Sequence, residues 1–452
     1  MSRFQRSVGD MDEARRTHIN ALRILTRLAQ APEADATIKI MHASAHIAHG
    51  YFLSETDNSL TLHHVEQARS IIDEVHRRFG ETPASWRVLG HVHLLAGKAQ
   101  QEQVAIAQRE YERSCVVFEE VKKSQPNEID VLHDLGMAYL ERGVVETTSL
   151  GHRRFMLKAM DNFQARLKLQ PGDPGALIDV AHCQAALACT NDCIEVPLET
   201  ALNHAMESTK ITSQLIKEYP STNEFRRVQA LALYYAGSRA LVLQRSSQAL
   251  ELLQACRNQW EYLAQHEPGI PQFSSFVART NILLGDAHVA LGKPPAAVTV
   301  YQEAIQQLRA PALMQFSASR TKYYLGRALR RLGAVELSQG KYSQAGEHLL
   351  KAKDLFTALQ GKLDNHAQFY VDQAACYALL ARLAAIPNSG ITADQEQRYS
   401  LLALDCLRYR TEDYQPHPSL LEIDHAFDGL RSSPDFQKLM KKLTEEAGRV
   451  KN

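Results

Sequence analysis

Histidines at positions 42, 46 and 49 are the first residues of this 452-residue chain whose spacing could do chemistry. Separations of i, i+4 and i+7 put three imidazoles on one face of a helix, and a pair at i, i+4 can chelate a metal. No glutamate follows the first histidine as a hydrolytic H-E-x-x-H site requires, so packed, hydrogen-bonded imidazoles are the plainer expectation. His182, Cys183, Cys189 and Cys193 form the densest thiol cluster. Cys183 and Cys189 would lie on different faces of one helix, whereas Cys189 and Cys193 could meet around a turn at 190–192. That leaves a metal or a regulatory disulfide open beside buried free thiols, which are the default.

Other chemistries are excluded more firmly. The chain has no G-x-S-x-G and no Cys–His pair in a recognisable setting for a nucleophile. A kinase needs a Gly-rich loop, H-R-D and D-F-G, and none is present. Val104-Ala105-Ile106 is followed by Ala107 where a phosphate-pairing Lys would stand. Lys plus Arg number 51 and Asp plus Glu 51, a balance that excludes a broad basic surface for nucleic acid. Leu231 to Leu243, the most membrane-like stretch, is interrupted by Ser238 and Arg239 and is too short to span a bilayer. The 7 cysteines do not make a disulfide framework, and no signal-peptide core opens the chain. The expectation is a cytoplasmic, non-enzymatic protein without cofactor or membrane span.

The elements that would carry any binding residue are helices. Prolines 32, 83, 126, 171, 220, 268 and 311 recur at intervals of 43 to 51 residues, separated by Ala-, Leu-, Gln-, Glu- and Arg-rich sequence. Such punctuation marks stacked helical hairpins. Within them, Trp86-x2-Leu89-Gly90-x2-His93 is followed by Ser114-x3-Phe118 and Pro126. Leu132-x2-Leu135-Gly136-x2-Tyr139 is followed by Ala159-x3-Phe163 and Pro171. Leu284-Gly285 leads to Gly292 and Ala297-x3-Tyr301, and Leu332-Gly333 to Gly340 and Ala345-x3-Leu349. A small residue is needed where the helices of a hairpin approach most closely, because a larger one overpacks the contact. Two intervening units carry Ser208/Thr212 and Cys256/Trp260 at the equivalent spacing. Extra residues between Glu141 and Arg153 predict a loop around Gly143–Gly151, while residues 100–120, free of breakers, predict helix extension.

These positions resemble the tetratricopeptide repeat. The expected fold is therefore all-α: a tetratricopeptide-like helical-hairpin solenoid, a right-handed superhelix of seven or eight units with long helices. Residues 1–385 would form the array, 386–398 a linker, and 399–452 C-terminal helices capping it. Tyr370-x3-Ala374-Ala375-Cys376-Tyr377, the helix Tyr399–Tyr409, and Asp424-x2-Phe427-x2-Leu430-Arg431-x2-Pro434-Asp435-Phe436-x2-Leu439 follow in order. That ordering resembles the tetratricopeptide region following the catalytic domain of planctomycete-type bacterial serine/threonine kinases. The resemblance implies a regulatory or partner-binding role, either as a separate protein or as part of a larger kinase. The closing segment reads as a cap: Ser433 at the N-cap, Pro434 in the first turn, and an apolar stripe of Phe436, Leu439, Met440 and Leu443.

The functional expectation is a scaffold that binds a partner protein or peptide in a groove. The alternative is a sensor of a small molecule or signal peptide acting on a serine/threonine kinase. Residues two before and two after each packing leucine are expected to line the groove: Arg87, His91, His133, Met137, Ile282, Asp286 and Arg330. The set lacks paired Lys and Asn, so it favours a mixed or modestly acidic segment over a chaperone tail.

Overall fold

The computed structural model describes residues 11–54, 56–146, 149–189, 197–310, 318–363, 367–387, 389–409 and 418–450, and every regular element among them is helical. The fold is a tetratricopeptide-like array of helical hairpins. Contacts divide the chain into two compact units, the first built from residues 1–146, 150–187 and 207–229, the second from 147–149, 188–206 and 230–452.

The first unit opens with α1 (Met11–Ala29), then pairs α2 (Ala36–Leu53) with α3 (Asn58–Phe79), α4 (Pro83–Ala99) with α5 (Val104–Ser124), and α6 (Ile129–Val144) with α7 (Ser149–Leu169); α8 (Pro174–Ala188) follows. Local sequence starts these helices. Asp35 and Asp57 accept from the backbone N–H groups of Ile38 and Leu60, and Thr82 forms a reciprocal capping box with Ser85 ahead of Pro83. α9 (Leu198–Glu218) and α10 (Asn223–Val242) contribute residues to both units. The second unit continues with α11 (Ser246–His266), pairs α12 (Pro271–Ala290) with α13 (Pro294–Leu308), α14 (Ala318–Ser338) with α15 (Tyr342–Thr357), and α16 (Ala367–Ala384) with α17 (Gln395–Tyr409). α18 (Pro418–Ile423), a 3-10 turn at His425–Leu430 and α19 (Pro434–Val450) close the chain.

The close approaches fall where the small residues are. A methyl group at Gly90 would stand 2.6 Å from the Phe118 ring and one at Gly333 2.9 Å from Leu349. At Gly136 and Gly285 it would penetrate the rings of Phe163 and Tyr301. Where the pattern is degenerate, a small polar side chain ties the helices instead. Ser208 Oγ donates to the Ala181 carbonyl at 2.7 Å, and Cys256 Sγ to that of Ala230 at 3.2 Å. Trp260 beside it is fully buried. Gly292 and Gly340 turn their hairpins at φ values of +67° and +72°, a region costly for residues with a Cβ.

Two local expectations are corrected. Gly143 and Gly151 lie inside α6 and α7, not in a loop, so only residues 145–148 separate these helices. Gly143 packs against Phe155 and Met156, and its carbonyl meets His152 Nδ1 at 2.8 Å, so the glycine serves close packing. The helix through 100–120 is interrupted at 100–103 and resumes at Val104. At the C-terminus Phe436, Leu439 and Leu443 are buried in the same cluster as Phe427 and Leu430, with Met440 packed against it. Asp435 pairs with Arg408 at 3.0 Å.

Candidate binding site

The residues flanking the packing leucines face the first helix of the next hairpin. In the first unit Arg87 Nε and Nη1 reach Asp134 and Asp130 at 2.5 and 3.1 Å, and His91 Nε2 meets Asp134 at 3.1 Å. Burial opposes ionisation of Asp134, but His91 and then Arg87 outweigh it and hold the carboxyl well below its usual range. His133 Nδ1 meets Asp179 at 2.8 Å, with Arg166 on the same carboxylate. Met137 packs partly buried against the core. These side chains bind neighbouring hairpins to each other, which accounts for their charges without a ligand.

In the second unit the same register goes deeper. Ile282 and Arg330 are each 1% exposed, so neither offers a surface to a partner, and the expectation that they line a groove is corrected. Arg330 Nη2 donates to Asp372 at 2.6 Å, where Tyr323 also donates at 2.6 Å, and its Nη1 lies 3.3 Å from Asp424. Arg331 joins Asp286 and Asp424, each at 3.1 Å, and Asp286 also accepts from Tyr301 at 2.6 Å. Arg327 Nε stands 3.7 Å from Asp372. Three arginines of α14 thus meet three aspartates, and the network is neutral.

Arg279 is outside that balance. Its guanidinium carbon lies 4.4 Å from the centroid of Phe276, 4.5 Å from Tyr324 and 5.2 Å from Tyr234. Tyr234 and Tyr324 are 45 residues before and after it, on the first helices α10 and α14 that flank α12. Among the described residues no carboxylate pairs with Arg279, and its Nε is buried without a hydrogen-bond partner. The side chain lies deep among its neighbours yet keeps part of its surface open, as do Tyr235 and Arg327 beside it. An aromatic-framed cation with part of its surface open can receive an anionic or planar group.

This is the residue set the sequence reading missed. A signal was present: Arg279 is the one basic Lys or Arg of α12, with no acidic residue three or four positions away, and Tyr-Tyr pairs stand at 234–235 and 323–324.

The histidine and thiol clusters resolve differently. His46 Nδ1 lies 2.9 Å from His64 Nδ1, and His42 and His49 rings pack 4.9 and 4.8 Å from His46 and His64 respectively. Burial, reinforced by neighbouring imidazoles, pushes His46 and His64 down to about 4. Cys183 Sγ donates to the Met156 carbonyl at 3.1 Å, while Cys193 lies outside the described residues. No three His, Cys, Asp or Glu side chains among the described residues are arranged to hold a metal. Burial pushes the thiols of Cys256, Cys376 and Cys406 up to about 12, so all three are protonated at neutral pH. Among the described residues, no helix is long and apolar enough to cross a membrane.

No protein-family model matches the chain, and no curated protein matches it. Solved structures do. The apo form of RapI is similar over 90% of this chain and 97% of its own, at 15% identity and a TM-score of 0.52. The apo form of the quorum sensor NprR from B. thuringiensis is similar over 88% of this chain and 97% of its own, at 14% identity and a TM-score of 0.53. At these identities the likeness is one of fold.

Proposed function

We propose that this chain is a non-catalytic regulatory module that binds a peptide or protein segment on the first-helix face of its second unit. The observation that carries the reading is the cluster of Tyr234, Arg279 and Tyr324. Among the described residues Arg279 has no carboxylate there, while Arg327, Arg330 and Arg331 on α14 each have one. Protonated thiols leave no nucleophile among Cys256, Cys376 and Cys406, which supports a binding role over a catalytic one.

We favour the sensor form of this role, in which a short peptide meets this cation, over a scaffold that holds a long extended chain. A protein of similar fold that is described as a quorum sensor supports the same choice. The resemblance of the C-terminal segment to kinase-attached repeat regions supplies a candidate for the output, a serine/threonine kinase.

The test is selection of binders from a random-peptide phage library on the immobilised full chain. Hydrogen exchange of the complex with a selected peptide follows. Protection centred on α10, α12 and α14 is the expected result. Recovery of no binder, or protection confined to the first unit, refutes the reading.

A further inference from the structure

We propose that Arg279 is a carboxylate anchor: its guanidinium, held between the rings of Tyr234, Phe276 and Tyr324, pairs through its in-plane N–H groups with a carboxylate of the bound peptide. This rests on the reading that the second unit binds peptides and names the chemistry at one point of that site.

The argument starts from the charge. Arginine stays protonated under all ordinary conditions, so Arg279 brings a full positive charge into the fold. The cost of burying a charge is ordinarily offset by a carboxylate, as it is for Arg327, Arg330 and Arg331 on the adjacent helix α14. Arg279 instead has aromatic faces at 4.4, 4.5 and 5.2 Å. The oxygens facing it belong to tyrosines. A guanidinium has five N–H donors, all in its plane. Tyr234 accepts from one of these donors and Nε is buried without a partner, so the edge that the partly open side chain shows to solvent is what remains for a ligand. A carboxylate fits that edge with two parallel charge-assisted bonds.

The placement is specific to this register. Counted from the packing glycines Gly237, Gly285 and Gly333, the equivalents of Arg279 are Leu231 on α10 and Arg327 on α14. Arg327 has Asp372 within 3.7 Å, whereas Arg279 has Tyr234 and Tyr324 from the flanking helices. A purely structural arginine would be expected to take its counter-ion from a neighbouring first helix, as Arg87 does from Asp134 and Arg330 from Asp372. Within α12 the nearest acidic residue is Asp286, which is already engaged by Arg331 and Tyr301.

The experiment uses two synthetic random hexapeptide libraries, one with free C-terminal carboxylates and one amidated. Each is incubated with the full chain, and retained peptides are sequenced by mass spectrometry. Enrichment of Asp or Glu at one position in both libraries identifies a side-chain carboxylate as the source. Enrichment confined to the free-carboxylate library identifies the terminus. Either result, with a selected peptide binding Arg279→Gln at least tenfold more weakly, supports the anchor. Arg279→Lys, which keeps the charge and loses the planar fork, is expected to bind at an intermediate level and serves if Arg279→Gln does not fold. Peptides retained with no preference for a carboxylate, and bound equally by the variant, overturn the anchor while leaving the peptide-binding reading in place. No peptide retained from either library overturns both.

Discussion

Replacing Asp372 with asparagine should be among the most damaging isosteric changes in the second unit. Its carboxylate is fully buried and receives Arg330 and Tyr323 at 2.6 Å each, with Arg327 at 3.7 Å. Asparagine preserves the shape and one acceptor oxygen but removes the charge, leaving Arg330, itself 1% exposed, with Asp424 at 3.3 Å. Removing one member of a buried pair costs about 3–5 kcal/mol. The remaining aspartate places the expectation at the lower end, near 3 kcal/mol. Removing both charges in Arg330→Met with Asp372→Leu should cost less than the two single changes added, because Asp424 retains Arg331 at 3.1 Å and Arg330 is not left behind, although Arg327 and Tyr323 still lose Asp372. Urea titrations followed by circular dichroism measure both effects. If Asp372→Asn falls within about 0.5 kcal/mol of the parent, or the double change costs as much as the two single changes added, the network is not coupled as described. The same geometry makes Arg330→Ala unsuitable as a test of binding, since it disturbs the fold first.

Acid should loosen the N-terminal hairpin. His46 and His64 titrate near 4 in the fold and near 6.5 when unfolded, so between those values the unfolded chain takes up more protons. Stability is full above about pH 6.5 and declines as pH falls towards 4. After discounting for solvent screening, the pair should lose about 1–2 kcal/mol by pH 4.5. Hydrogen exchange of α2 and α3 reads this, and a slope unchanged in His46→Gln/His64→Gln would refute it. Gly136→Ala should cost about 1–3 kcal/mol by overpacking, part of it regained with Phe163→Leu; equal melting of both variants would show that the contact yields freely. Truncation after Ser433 removes Phe436, Leu439 and Leu443, each worth about 1.5–3 kcal/mol of burial. It should raise light scattering and lower the melting midpoint, and a monodisperse product with unchanged melting refutes the cap.

The hairpin contacts were legible because the absence of a side chain is a local property. Gly90, Gly136, Gly285 and Gly333 announce close approaches, and the aromatic or leucine partner follows at a regular distance. The same logic misread Gly143, whose neighbours Phe155 and Met156 belong to the next helix. The site was less legible. Whether Arg330 is a groove cation or an interior one depends on Asp372, 42 residues later, and on Asp424, 94 residues later. Arg279 was hidden for the same reason, since two of its three rings come from residues 45 positions to either side. Spacing within one repeat identifies the face of a helix; it does not say what the neighbouring repeats place against that face.

Asp424 has a consequence for the order in which the chain acquires its structure during synthesis. Most ties between hairpins join adjacent units, but Asp424 reaches back 94 residues to Arg330 and 93 to Arg331. At about 5–20 residues per second a ribosome takes about 5–20 s to add that length. Until Asp424 follows α14 out of the exit tunnel, Arg331 has Asp286 alone and Arg330 at most Asp372. The earlier hairpins need only their immediate neighbours and can settle as they appear, whereas α14 must wait for a residue 93 to 94 positions further on. Chains that stop short of Asp424 should therefore carry a well-formed beginning and an unsettled end, and quality-control proteases would meet them at α14 and beyond.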